Sequence, residues 1–141
     1  MKNAAILSGR FKNKVKQRKV GYSSAIVKFK NLYSGTVTKN FKIIPKKTKI
    51  HLVKSGKKSI TVKWNRLIGD ATGYEIQYSL GSKFSSKTTK TIVVKKYSTV
   101  SKKIGKLLNH NKYYIRIRVY KNTANAKVYS SWSKAIRVIT K

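Results

Sequence analysis

Acid–base, nucleophilic or metal chemistry draws on carboxylates, histidines and thiols, and this sequence is poor in all three. Its 141 residues include two carboxylates, Asp70 and Glu75, two histidines, His51 and His110, and no cysteine. A general acid and base need two groups with separated proton affinities at one place. Asp70 lies in the turn at residues 69–73, whereas Glu75 takes an outward position on the following strand. His51 and His110 have no acid or thiol near them in sequence, a weak metal signal that reads better as surface or turn histidines. The lack of cysteine removes disulfides, thiolates and Cys-based metal sites. A Gly-Lys-Ser/Thr phosphate loop, a dinucleotide fingerprint and a nucleophile elbow are also missing. The expectation is a non-catalytic protein with no catalytic residue, metal ligand or cofactor.

The chemistry that remains is cationic and aromatic. In KYYIRIRVYK, residues 112–121, Tyr113, Ile115, Ile117 and Val119 alternate with Tyr114, Arg116, Arg118 and Tyr120. This is the period of two of a half-buried β-strand. Its outer face sets flat rings beside guanidinium groups, a mixture that can stack sugars or grip anions. Ordinary cross-strand pairing accounts for it as well, with Glu75 reaching Arg116 or Arg118 from a neighbouring strand. As an exposed pair, that contact is worth at most about 1 kcal/mol.

Overall charge points the same way. Thirty-five Lys and Arg stand against two acids, a formal net charge of +33, and 29 of the 35 are lysine. Lysine is a hydrated point charge, while bidentate reading of guanine or phosphate leans on arginine. The balance favours diffuse attraction to anionic wall polymer or glycan, with nonspecific phosphate contacts to nucleic acid as the alternative.

The elements that must carry these residues are strands. Leu107 stands six residues before Tyr113, with the polar Asn109-His110-Asn111 between them. That spacing predicts a tyrosine corner, the ring in the core and the hydroxyl bonded to backbone a few residues upstream. Upstream, Ile60, Val62 and Trp64 share one parity, and so do Tyr74, Ile76, Tyr78 and Leu80. The predicted core contains Trp64, Tyr74, Ile76, Leu107, Tyr113, Ile115 and Ile117. Residues 91–95 read as an edge strand, 100–104 as a less regular one because Lys102 takes the buried parity, and 121–130 as a long loop. Ser131-Trp132-Ser133 then opens a final strand. Seven strands in about 95 residues, with no amphipathic helix, predict an all-β sandwich.

Three regions are expected. Residues 1–20 are basic with sparse apolar positions, and read as poorly ordered. Residues 21–45 read as a β-hairpin turning near residues 31–35, and Pro45 ends its pairing. Residues 46–141 are the sandwich. The apolar run Ala4 to Leu7 is too short for a signal peptide or a membrane span; an exported parent protein would begin outside this chain.

Trp64, the GYEIQYS segment at residues 73–79, Leu107 with Tyr113, and Ser131-Trp132-Ser133 resemble a fibronectin type III domain, more narrowly the lysine-rich version of clostridial cell-surface proteins. YSGTVTKNFKIIPKK, residues 33–47, resembles the last strand and exit of a bacterial immunoglobulin-like surface repeat. The resemblance implies a seven-stranded sandwich preceded by a partial hairpin, acting as an extracellular or cell-wall spacer or interaction module beside neighbouring domains. It assigns Trp64 to the core of the second strand, Tyr113 to the corner, and Leu107 to the position beneath it. Asn109-His110 replaces a frequent Pro-Gly, and residues 121–130 lack Arg-Gly-Asp, which removes the residue-level case for integrin binding.

Overall fold

The computed structural model describes residues 19–28 and 35–141. Its strands are β1 (Gly21–Lys28), β2 (Thr36–Ile43), β3 (Ile50–Gly56), β4 (Ser59–Trp64), β5 (Gly73–Ser79), β6 (Thr89–Val94), β7 (Ser101–Ile104), β8 (Lys112–Asn122), β9 (Lys127–Tyr129) and β10 (Ile136–Ile139). No helix occurs among the described residues. β3, β4 and β7 form one antiparallel sheet in the order β3-β4-β7, and the second runs β10-β8-β5-β6 with β9 also on β8. Counting β9 and β10 as one interrupted strand gives the expected seven-stranded all-β sandwich.

Alternation decides which side chains meet between the sheets. Ile60, Val62 and Trp64 from β4 face Tyr74 and Ile76 from β5, and Ile115, Ile117 and Val119 from β8, all essentially inaccessible to water. Trp64 meets Tyr74 edge to face, with ring centroids 5.4 Å apart, a geometry that the ring quadrupoles favour. Each ring of this type buries enough apolar area to dominate its neighbourhood.

Buried hydroxyls pin the ends of the sandwich. The Leu108 amide donates to the Tyr113 hydroxyl at 3.1 Å, with Leu107 buried beside it. The Pro-Gly departure is absorbed by His110, which takes a left-handed φ of 50°, a region where histidine is tolerated better than most side chains. A second tyrosine does the same at the other end: the Leu67 amide donates to the Tyr74 hydroxyl (3.1 Å), which donates to the Tyr97 carbonyl (2.9 Å). Thr140, 1% exposed, donates to the Leu108 carbonyl and accepts from the Asn111 amide at 3.1 Å, tying the chain's end to the corner.

Three expectations need correction. The loop at 121–130 is half strand: β8 continues to Asn122, β9 pairs with it, and residues 123–126 turn, closed by the Thr123 amide on the Ala126 carbonyl. Polar side chains there mark a strand facing water on one side and not a loop. The final strand expected to open at Ser131 begins only at Ile136, as β10. Leu80 falls past the end of β5 and is 43% exposed. Lys102 does pair with the buried Val62, yet β7 is the sheet's edge, so its long stem carries the ammonium into water.

The N-terminal hairpin begins three residues before the alternation at Ser24, with β1 and β2 paired from Gly21↔Ile43 to Lys28↔Thr36. Tyr22, Ile26 and Val37 on it are exposed. Residues 1–18 and most of the expected turn near 31–35 lie outside the described residues.

Candidate functional site

The outer face of β5 and β8 collects the groups that the sequence singled out. Antiparallel register sets Glu75 opposite Arg118 and Gln77 opposite Arg116. Arg118 donates through Nε and Nη2 to Glu75 Oε2 at 2.9 and 2.6 Å, and Arg116 donates through the same two nitrogens to Gln77 Oε1 at 2.9 and 2.7 Å. Two N–H groups of each planar guanidinium are thereby spent on a neighbouring strand, an orientation that a lysine cannot reproduce.

The break between β9 and β10 supplies the ring between them. The Ser130 amide donates to the Val119 carbonyl (2.9 Å) and the Ser133 amide to the Ile117 carbonyl (2.8 Å). In return the Val119 amide donates to Ser130 Oγ (2.9 Å) and the Ile117 amide to Ser133 Oγ (3.1 Å). Two hydroxyls thus replace the carbonyls that a regular ladder would offer, so the backbone leaves the sheet without orphaning the β8 amides. Trp132 sits on this excursion. Its ring lies under both guanidinium groups, 4.5 Å from Arg116 and 4.4 Å from Arg118.

Phe84 and Tyr129 complete the stack, the first 4.1 Å from Arg116 and the second 3.7 Å from Arg118. Each guanidinium therefore lies over two rings, in a ladder of Phe84, Arg116, Trp132, Arg118 and Tyr129. Phe84 adopts a left-handed φ of 52°, a conformation costing on the order of 1 kcal/mol for a residue with a Cβ. Its contact with Arg116 offsets part of that cost.

Burial sets the electrostatics. Glu75 is only 6% exposed although it points away from the core, which corrects the expectation of an exposed ion pair: Arg118 and neighbouring rings cover it. Burial, then the nearby Glu75 carboxylate, pushes the Tyr129 and Tyr120 phenols above their ordinary value. Burial, then the charge of Arg118, pulls Arg116 below its own.

Of the four residues expected on a ligand face, Arg116 and Arg118 stand together in the ladder. Tyr114, opposite Ser79 and Arg137, is half-buried. Tyr120 departs from the expectation: it is 3% exposed, with Lys127 Nζ 4.7 Å over its ring and Tyr129 tilted against it. The cause is Gly73, directly opposite, where an added Cβ would lie 2.7 Å from the Tyr120 hydroxyl and collide with the Val94 carbonyl. Without a side chain at residue 73, the ring lies flat on the strand and no longer faces water. Trp132, Phe84 and Tyr129 were not expected here. For Trp132 the signal was its place between serines after an Arg-x-Arg strand; Phe84, in a polar loop, carried none.

Asp70 sits in the loop between β4 and β5, away from the Glu75–Arg118 pair. Among the described residues no group of three His, Asp or Glu could hold a metal. His51 Nδ1 lies 3.0 Å from Asn65 Oδ1, and His110 shapes its turn.

The model of the fibronectin type III domain matches residues 44–139. The chain belongs to that family. Fibronectin type III domains are commonly non-catalytic interaction or spacer modules. Two solved structures agree on the fold. The fibronectin type III domain of human contactin 1 is similar with a TM-score of 0.53, at 18% identity over 71% of this chain and 82% of that one. A myokine is similar with a TM-score of 0.52, at 17% identity over 70% and 98%. A computationally redesigned β-sandwich protein aligns at 20% identity over 65% and 93%, with a TM-score of 0.49. No curated protein matches the chain. Within this fibronectin type III domain both cations of the ladder are already paired and stacked.

Proposed function

We propose that this chain is a non-catalytic spacer and interaction module of a bacterial cell-surface protein, held to anionic wall polymer or glycan by its charge and joined to neighbouring domains. One observation carries the proposal: a net charge of +33 with only two acids, one of them already committed to Arg118. The exposed lysines among the described residues attract any polyanion, with a strength that falls as salt rises. The lysine-rich resemblance supports the setting, outside the cell or in its wall.

Binding to purified bacterial cell walls tests it, before and after chemical removal of their phosphate-rich polymer. The expected result is strong binding at near-physiological salt that is lost on stripping and in ~1 M salt. Equal binding to stripped walls overturns the proposal. So does a preference for one nucleic-acid sequence that survives high salt.

A further inference from the structure

The sheet opposite the arginine ladder has a different outer face. Paired residues of neighbouring strands point to the same side of a sheet, so register alone assembles that face. Lys54 pairs with Thr61 and Thr61 with Lys103; one step along, Leu52 pairs with Lys63 and Lys63 with Ser101. Lys54, Lys63 and Lys103 are all exposed. Strands lie about 4.8 Å apart and residues of one face recur about every 7 Å along a strand. The three backbone anchors therefore form a triangle with sides of roughly 7 to 10 Å. Lys57 and Lys58 in the β3–β4 turn extend it, and the hydrogen bond from the Leu107 amide to the Lys58 carbonyl brings Lys106 beside them.

Among the described residues this face carries no side-chain carboxylate. The only ion pair among the described residues is Arg118–Glu75 on the other sheet, and Asp70 lies in the loop between β4 and β5. The arginines have spent N–H groups on Gln77 and Glu75 and lie over rings. These lysines have made no such commitment, and an ammonium imposes no planar geometry on its partner. Its paired outer positions also include no aromatic residue, so no platform exists for stacking bases. A three-stranded sheet is also wider than the helix or two-stranded ribbon that the major groove of a duplex admits.

We propose that the outer face of β3, β4 and β7, through Lys54, Lys63 and Lys103, is the surface that takes a linear polyanion lacking bases. This rests on the charge-driven attachment proposed above and gives it an address. A flexible chain carrying one anion per repeat crosses the strands and exchanges its counter-ions, and water, for the ammonium groups.

The test compares two triple variants of equal charge. Lys54→Gln with Lys63→Gln and Lys103→Gln removes the face, while Lys83→Gln with Lys87→Gln and Lys95→Gln removes exposed lysines elsewhere. Probes are inorganic polyphosphate, heparin and poly-dT. The face variant should lose roughly tenfold in affinity for polyphosphate and heparin at ~0.15 M salt, and its log–log salt slope should fall by about 2; the control should lose less than about threefold. As a reading on the unaltered protein, polyphosphate should protect Lys54, Lys63 and Lys103 from acetylation more than Lys83, Lys87 and Lys95. Equal losses in the two variants, or equal protection, overturn the proposal. So does tighter binding of poly-dT than of polyphosphate. Failure of the unaltered protein to bind any probe overturns the charge-driven attachment itself.

Discussion

Tyr113 and Tyr114 are neighbours with opposite consequences, because a strand turns successive side chains to opposite faces. The Tyr113 hydroxyl accepts from the Leu108 amide inside the sandwich, so Tyr113→Phe leaves that amide without its partner. A loss of about 1–2 kcal/mol is expected in urea unfolding. Tyr114 is half-buried on the other side, and Tyr114→Phe should change stability by less than about 0.5 kcal/mol. Equal losses in the two variants would remove the corner from the account. Gly73 shows the same logic in negative form, since its missing side chain is what lets Tyr120 lie down over β5.

At the level of elements, the ladder is held from three directions: β5 supplies Glu75 and Gln77, β8 the arginines, and the interrupted β9–β10 segment Trp132 and Tyr129. Removing Arg118 strands a covered carboxylate and unstacks two rings. Breaking a fully buried pair costs about 3–5 kcal/mol, and partial exposure of Arg118 lowers this, so Arg118→Ala should cost about 2 kcal/mol. Arg118→Lys should recover little of it, because an ammonium provides neither the fork nor the stacking plane; full recovery would reduce the ladder to simple charge pairing. The covered phenols add a pH dependence. Tyr78, Tyr120 and Tyr129 are raised in the fold, each by burial first. A raised phenol binds its proton more tightly folded than unfolded. Its contribution is present below the unfolded value of about 10 and is lost as pH climbs through the folded one. Absorbance titration should show these three among the nine tyrosines ionising late, and Tyr129→Phe should remove one late step.

For the whole molecule, net charge opposes the compact state that the core favours. Raising salt from ~0.01 to ~0.15 M shortens the screening length from about 30 to about 8 Å. If self-repulsion costs the fold about 1 kcal/mol at low salt, the melting temperature should rise by roughly 5 °C over that range. A flat response would mean that the lysines stand far enough apart to ignore one another. If it prefers the folded charge array to the unfolded chain, polyphosphate should do the same at far lower concentration.

Much of the fold was legible because its signals are local. Apolar side chains at every second residue marked Ile60, Val62 and Trp64, then Tyr113, Ile115, Ile117 and Val119, as inward-facing, and strand geometry leaves such runs little other choice. The corner was readable for the same reason, as Leu107, the short turn and Tyr113 are close along the chain. Charge needed only counting. What tertiary structure alone decided involves residues distant in sequence. Phe84 meets Arg116 from the loop between β5 and β6, and Lys54 shares a rung with Lys103 only through strand register. Glu75 is buried only because Arg118 and the rings around it close over the outer face. The serine hydroxyls that swing Trp132 outward act on amides of another strand. Hydrophobic period is a property of one strand, whereas pairing, stacking and the burial of a charge belong to the strands brought together.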